Sequence, residues 1–166
     1  MTSVLTLIDF ESDHFEALCS WFASERELVQ WGGIAAQHPL DHVQLQRIVD
    51  ERPRRLSWMA ADEGRLVGHI ELVLARDARA ARIARVAIAP ERRGRGLGRE
   101  LVQLALEVAW QLDWVDRVDL RVYMWNAAAL ATYTRVGFVT QSVALSQREI
   151  DDERWEVATM TLERPS

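Results

Sequence analysis

The chain has 166 residues, a net charge of −5, and average apolar and charged fractions (49% and 27%), which together predict one globular domain over residues 1–166. No mainly apolar stretch reaches the roughly 20 residues that cross a membrane, and no basic segment followed by an apolar run marks a secretory signal. A single cysteine, Cys19, excludes an intramolecular disulfide and favours a cytoplasmic location.

The first part of the chain predicts one strand followed by short helices. Residues 4–10 alternate imperfectly between apolar and polar side chains, as an edge strand does. Apolar side chains recur at helical spacing over residues 15–22, after the cap residue Ser12. A second short helix is indicated over residues 25–31, and Asp41 begins a further helix.

The remainder of the chain predicts strands with two helices between them. Strands are expected over residues 56–61, 66–74, 82–89, 118–123, 139–150 and 154–162. Helices are expected over residues 97–112 and 126–135. We summarise the order as β-α-α-β-β-β-α-β-α-β-β. It predicts an α/β domain built on a single mixed, mostly antiparallel sheet of about seven strands, with helices on both faces.

A glycine-rich turn joins the strand over residues 82–89 to the following helix. After Pro90, residues 93–98 read Arg-Gly-Arg-Gly-Leu-Gly. Glycines leave backbone N–H groups bare, the helix N-terminus adds unpaired donors, and the flanking arginines add charge-assisted contacts, so the turn suits a diphosphate. The chain has no lysine for a P-loop, and the position and spacing do not fit a dinucleotide fingerprint. Taken alone, the segment is equally compatible with a plain strand-to-helix turn.

The charge pattern around this turn limits the kind of partner. Four arginines fall within eight positions of a chain that is acidic overall: Arg92, Arg93, Arg95 and Arg99. Such a local patch indicates one small anionic ligand. It argues against extended nucleic-acid binding, which uses a basic face.

Two segments together resemble a known family. Residues 86–98 are similar to the acetyl-CoA signature of the GNAT N-acetyltransferase superfamily, whose Gln/Arg-x-x-Gly-x-Gly/Ala pattern is met by Arg93, Gly96 and Gly98. Residues 126–138 resemble the family's Asn…Ala…Tyr…Gly-Phe segment. The predicted order of elements matches along nearly the whole chain, and the match is weakest in the first half.

The resemblance implies an acetyl-CoA cleft where two parallel strands splay apart. The backbone of Val86, Ala87 and Ile88 would bind pantetheine, and an exposed amide there would polarise the thioester carbonyl. Asn126 would hydrogen-bond the pantetheine arm, with Ala129 beside it. The diphosphate would be held by a continuous segment consisting of Arg93, Gly94, Arg95, Gly96, Leu97, Gly98 and Arg99.

The resemblance also implies catalytic residues. Tyr133 is similar to the family's general acid, because a phenol with a pKa of about 10 can donate a proton to the leaving thiolate. The alternative is a tyrosine that only packs in its helix. Many family members use a glutamate on the fourth strand as base, but residues 80–89 contain no carboxylate. Glu71 on the adjacent strand is the predicted base, with His69 or a water chain as alternatives, and a structural ion pair with Arg85 is the competing interpretation of Glu71.

The acceptor is indicated only broadly. Trp31 lies where this family builds its acceptor pocket, although core packing is the favoured explanation by a small margin. Residues 31–40 and 149–160 loosely resemble the ribosomal-protein N-terminal acetyltransferase branch, and the acidic net charge favours a cationic acceptor.

The resemblance as a whole implies transfer of acetyl from acetyl-CoA to a primary amine, on a small molecule or a protein N-terminus. Attack would be direct, in a ternary complex, without metal, nucleic acid or membrane, and a homodimer is expected from the family. Because the strand carboxylate is missing, an acyl-CoA-binding regulatory module without turnover is the alternative.

Overall fold

One seven-stranded sheet organises residues 4–166, the part of the chain that the computed structural model describes. The strands are β1 (Thr6–Asp9), β2 (Arg55–Asp62), β3 (Arg65–Ala75), β4 (Ala80–Ile88), β5 (Arg117–Tyr123), β6 (Val139–Ile150) and β7 (Glu153–Glu163). Their order across the sheet is β1-β2-β3-β4-β5-β7-β6, and of these neighbours only β4 and β5 run parallel. The predicted fold class, an α/β domain with one mixed and mostly antiparallel sheet, is confirmed.

Three α-helices lie between β1 and β2, so the summarised order was one helix short. The helices of the chain are α1 (Phe15–Cys19), α2 (Glu25–Gly32), α3 (His42–Asp50), α4 (Leu97–Trp110) and α5 (Ala127–Val136). The early helices stay separate because α2 and α3 each have their own side-chain cap. Ser24 accepts a hydrogen bond from the Glu27 amide, and Asp41 accepts one from the Gln44 amide. Within residues 4–166 no helix combines the length and apolar character needed to span a membrane.

The two faces of the sheet are covered by different helices. Alternate strand residues point to opposite faces, and one face packs against α4 and α5. That core includes Ile70, Leu72, Ile83, Leu101, Leu120 and Met160. Helices α1 to α3 cover part of the other face, in a core that includes Phe10, Leu18, Leu28, Leu45 and Met59. Each such fully buried side chain contributes about 1.5–3 kcal/mol.

Strands β4 and β5 separate part-way along their length. Their pairing runs from Ala80 opposite Arg117 to Ile83 opposite Leu120 and does not continue beyond. On its other edge, the register of β4 against β3 shifts between Ala84 and Ala87, where Arg85 has a φ of 48°. Such a bulge bends its strand and increases the local twist. The splaying that the family resemblance implied is therefore present, and it opens the sheet beside β4.

Candidate active site

A cleft of about 570 Å³ occupies the space between the splayed strands, α2, α5 and the glycine-rich turn. All of the predicted site residues line it except Arg95 and Glu71. The lining residues from the prediction are Trp31, Val86, Ala87, Ile88, Arg93, Gly94, Gly96, Leu97, Gly98, Arg99, Asn126, Ala129 and Tyr133. Arg95 lies exposed on the same turn and does not line the cleft. The volume is typical of a ligand-binding cleft.

The glycine-rich turn brings the N-terminus of α4 to the cleft. Gly94 and Gly96 have φ values of +76° and +78°, in the left-handed region that side chains other than glycine rarely adopt, and both face open space. Gly96 is the N-cap of α4, so the first amides of that helix have no partner within it. Backbone donors and a positive helix end thus meet at the cleft mouth, an arrangement that fits the diphosphate of coenzyme A.

Trp31 packs against the wall that β4 forms. Its position fits both interpretations of this residue, core packing and lining of the cleft. Its indole Nε1 donates to the Arg85 carbonyl over 2.9 Å, and its ring lies 4.8 Å from that of Phe22. Trp31 is buried, yet it also lines the cleft. It therefore fixes the backbone bulge of β4 and shapes the cleft at the same time.

Helix α5 contributes two predicted residues to the opposite wall. The Asn126 Oδ1 atom accepts from the Ala129 amide over 3.3 Å as the cap of α5, which leaves its amide nitrogen without a partner among residues 4–166. Tyr133 is half-buried and packs edge-on against Phe138 at 6.1 Å. Its hydroxyl has no hydrogen bond to any residue that the structure describes. Burial raises the pKa of Tyr133 to about 12, so the phenol stays protonated near neutral pH.

Comparison with known sequences supports what the cleft indicates. The sequence model of the Acetyltransferase (GNAT) family matches residues 15–138. The chain belongs to the GNAT family. It is 31% identical over 103 residues to the L-amino acid N-acetyltransferase AaaT of Escherichia coli, covering 61% of this chain and 63% of that protein. It is also 51% identical over 53 residues to the mycothiol acetyltransferase of Tsukamurella paurometabola, covering 32% of this chain and 18% of that protein.

The GNAT fold recurs in solved structures with little sequence identity. The spermidine N-acetyltransferase of Vibrio cholerae, solved in complex with CoA and spermine, superposes with a TM-score of 0.81. That likeness covers 96% of this chain and 95% of the other at 21% identity, and it shows the shared fold. The chain spans less than two thirds of the length of both of these curated relatives.

In this GNAT chain the predicted base, Glu71, does not line the cleft. Glu71 is fully buried beneath the wall, where its Oε2 atom accepts from Nη1 of Arg55 and from Nη1 of Arg85 (3.0 Å). The prediction of direct contact with an acceptor therefore has no support in the geometry. The ion pair with Arg85, the competing interpretation, is present. The cause is that α1 to α3 cover this face of β3. The sequence of a single strand does not show which of its faces other elements cover.

His69, the alternative base, is equally inaccessible. It is fully buried, its Nδ1 atom lies 2.9 Å from the Arg85 carbonyl, and its Nε2 atom lies 3.8 Å from Oε1 of Glu71. Burial lowers the pKa of His69, although the nearby Glu71 carboxylate opposes this effect. The imidazole is therefore neutral near pH 7, but the wall of β4 separates it from the cleft.

Sequence reasoning missed Glu27, the one carboxylate among the described residues that line the cleft. Its Oε2 atom accepts from the Ala23 amide over 2.7 Å, and its Oε1 atom lies 3.8 Å from Nη1 of Arg93. Glu27, Gln30 and Trp31 lie on one face of α2, because residues three and four positions apart are neighbours on a helix. The spacing of Glu27 from Trp31 was the sequence signal that could have identified it. Glu27 accepts a hydrogen bond just before the start of α2 and places a carboxylate at the cleft mouth.

Proposed function

We propose that this chain transfers the acetyl group of acetyl-CoA to a primary amine by direct attack within a ternary complex. The observation that carries the proposal is the cleft itself, where splayed strands, a glycine turn at a helix N-terminus and Tyr133 meet. Acetyl-CoA is the co-substrate of the GNAT family. The names of the relatives, which act on L-amino acids and on spermidine, support an amine acceptor.

The roles of the chain's own residues follow from this cleft. Acetyl-CoA supplies an activated thioester and a thiol leaving group. After Ile83 the β4 backbone has no strand partner on the β5 side, so an amide of the segment Val86, Ala87 and Ile88 is available to the thioester oxygen. A fixed donor aimed at developing negative charge is worth about 3–4 kcal/mol in enzymes that use one. Tyr133 donates a hydrogen bond to the departing sulfur, and Asn126 positions the pantetheine arm.

Water in the cleft takes the proton from the attacking amine. Glu71 and His69 lie behind the wall, and Glu27 is engaged by Ala23 and Arg93 at the mouth. Without a base in contact, the reactive species is the fraction of acceptor that is already neutral. A peptide α-amine, with a pKa of about 8, is neutral far more often near pH 7.5 than an alkyl amine with a pKa of about 10. The site therefore favours α-amines.

The pH dependence of turnover follows the acceptor. With a peptide α-amine, we expect kcat/KM to rise about tenfold per pH unit below pH 8 and to level off above it, because deprotonation of the amine increases with pH. With an alkyl amine the rise should continue to about pH 10. Initial rates of thiol release at several pH values measure this. A plateau at one pH for both amines would instead reveal an enzyme base.

Binding and turnover test the proposal separately. We expect acetyl-CoA to raise the thermal midpoint of the protein and an amine panel to release free thiol. Gly96→Ala should reduce the affinity for acetyl-CoA by about tenfold or more, because alanine is strained at its φ of +78° and would distort the cradle. Isothermal titration with acetyl-CoA checks the affinity.

Gly64 offers a matched control, since it has a φ of +79° and equally open surroundings but does not line the cleft. Gly64→Ala should destabilise the fold similarly and leave the affinity for acetyl-CoA unchanged. Acetyl-CoA binding without thiol release from any amine would favour the acyl-CoA-binding regulatory module. Absence of binding would contradict both functions.

Two further expectations stay predictions. A homodimer is expected, and β6 is the surface on which we expect a second copy to pack, since this edge strand exposes Val139, Val143 and Leu145. The cytoplasmic location is expected from the lone cysteine.

A further inference from the structure

Arg82 on β4 is a half-buried arginine without a partner. Among residues 4–166 its guanidinium makes neither a hydrogen bond nor an ion pair, although it lies between two neighbouring strands. Burial lowers the pKa of Arg82, and so does repulsion from other guanidiniums, those of Arg121, Arg55, Arg85 and Arg54. A charge placed this way costs free energy unless an anion accompanies it.

Two carboxylates on this face of the sheet, Asp119 and Glu71, are already engaged. Asp119 is its direct neighbour across the β4–β5 ladder, but Asp119 accepts from Nε of Arg117 (3.3 Å) and from the hydroxyl of Thr161 (2.8 Å). Glu71 is held by two other arginines, as described above. The guanidiniums of this region outnumber its carboxylates, on a chain whose net charge is −5.

Two arginines without a partner among residues 4–166, Arg82 and Arg121, line different cavities. Arg82 lines a second cavity of about 500 Å³, whose other charged residues are Arg54, Arg76, Arg117, Asp77 and Asp119. Arg121 lies two residues beyond Asp119 on β5, on the same face of the sheet as Arg82, and it lines the active-site cleft. It too makes no hydrogen bond or ion pair with residues 4–166. Along β4, Arg82 precedes Val86 by four residues, or about 13 Å.

We infer that Arg82 and Arg121 bind a carboxylate of the acceptor and hold its amine at the acetyl group. The inference rests on the proposed function and narrows its substrate class to amines that carry an anionic group within about 13 Å of the reacting nitrogen. It reverses the expectation of a cationic acceptor, because the net charge of the chain does not describe the charge beside the cleft. Guanidinium groups bind carboxylates through charge-assisted, often paired hydrogen bonds.

Thermal shift assays detect the anion site directly. The protein is first saturated with CoA, so that the glycine cradle is filled, and glutarate is then titrated at constant ionic strength. We expect a saturable rise of the thermal midpoint that Arg82→Gln and Arg121→Gln each abolish. Arg65→Gln is the control, since Arg65 is an exposed arginine at the start of β3 that lines neither cavity. Without glutarate, Arg82→Gln should not lower the midpoint, because it removes a repelled charge.

Acceptor selectivity assigns the site to the substrate. The C-terminally amidated dipeptides Ala-Glu-NH2 and Ala-Gln-NH2, written below as Ala-Glu and Ala-Gln, differ in one charge and share the same reacting amine. Neither has a C-terminal carboxylate. We expect kcat/KM to favour Ala-Glu by about tenfold, mainly through KM, as one charge-assisted contact would provide. Arg121→Gln and Arg82→Gln should bring the ratio close to one, mainly by lowering kcat/KM for Ala-Glu.

Each alternative outcome overturns a defined part of the inference. Equal use of both dipeptides by the unmodified protein would remove the assignment to the acceptor, even if glutarate still bound. A glutarate shift that survives both substitutions would show that the anion binds elsewhere. A large loss of thermal stability in Arg82→Gln would mean a structural arginine. Absence of turnover with every amine, while acetyl-CoA binds, would refute the proposed function, and the glutarate shift would still report on the anion site.

Discussion

Replacing Glu71 with glutamine should lower the free energy of unfolding by about 3 kcal/mol, because it removes a buried carboxylate that pairs with two guanidiniums. Arg55 keeps a second partner, Glu51, at 2.9 Å, whereas Arg85 loses its only ion pair among residues 4–166. Glu71 is fully buried, Arg55 is buried, and Arg85 is half-buried beside them. Without the carboxylate, the guanidiniums of Arg55 and Arg85 would repel each other and Arg82 in surroundings that water screens poorly. Urea denaturation followed by circular dichroism measures the change.

Two controls separate this structural role from the predicted role as base. Asp116→Asn breaks an exposed ion pair with Arg79 and should change stability little, since surface pairs are screened by solvent. At a temperature where the Glu71→Gln protein is still folded, kcat should stay within a few-fold of the original value. A loss of kcat by 100-fold or more in the folded variant would restore Glu71 as the catalytic base.

The parts of the site that the sequence could predict are short continuous segments. The glycine turn, the cap Asn126 and the position of Tyr133 depend on local backbone geometry, which residue type and spacing specify directly. All of these except Arg95 reach the cleft. The sheet followed from alternating patterns and glycine or proline boundaries, and only the count of early helices was wrong.

The parts that could not be predicted depend on contacts between strands. Glu71 meets Arg55 and Arg85 across the β2–β3 and β3–β4 ladders, and their registers include a bulge that no spacing rule indicates. A carboxylate facing solvent and one buried in an ion pair look the same on a single strand. The neighbourhood of Arg82 is likewise set by β5, which follows it only after α4. Because these residues are far apart in the sequence, their proximity is visible only in the folded structure.

Replacing Tyr133 with phenylalanine should lower kcat by about 100-fold and leave the affinity for acetyl-CoA within a factor of about three. The hydroxyl makes no hydrogen bond with residues 4–166, so its removal should not destabilise the fold. The other tyrosine, Tyr123, is a matched control, because it lines the same cleft and its hydroxyl also makes no hydrogen bond with the described residues. Tyr123→Phe should reduce kcat far less. Equal losses of kcat and of acetyl-CoA affinity in Tyr133→Phe would mean that the hydroxyl only shapes the cleft.

The pKa of Tyr133 also defines how it assists the leaving group. A phenol with a pKa of about 12 is a weaker acid than a thiol with a pKa of about 8.5, so complete proton transfer to the thiolate is uphill by about 5 kcal/mol. We therefore propose that Tyr133 stabilises the thiolate through a hydrogen bond, and that water protonates the thiolate after its release. Because the phenol does not titrate below about pH 11, the ratio of kcat between the original protein and Tyr133→Phe should be constant from pH 7 to 9.5. A ratio that falls as the pH rises over this range would show that Tyr133 ionises there. That result would contradict the raised pKa that desolvation causes.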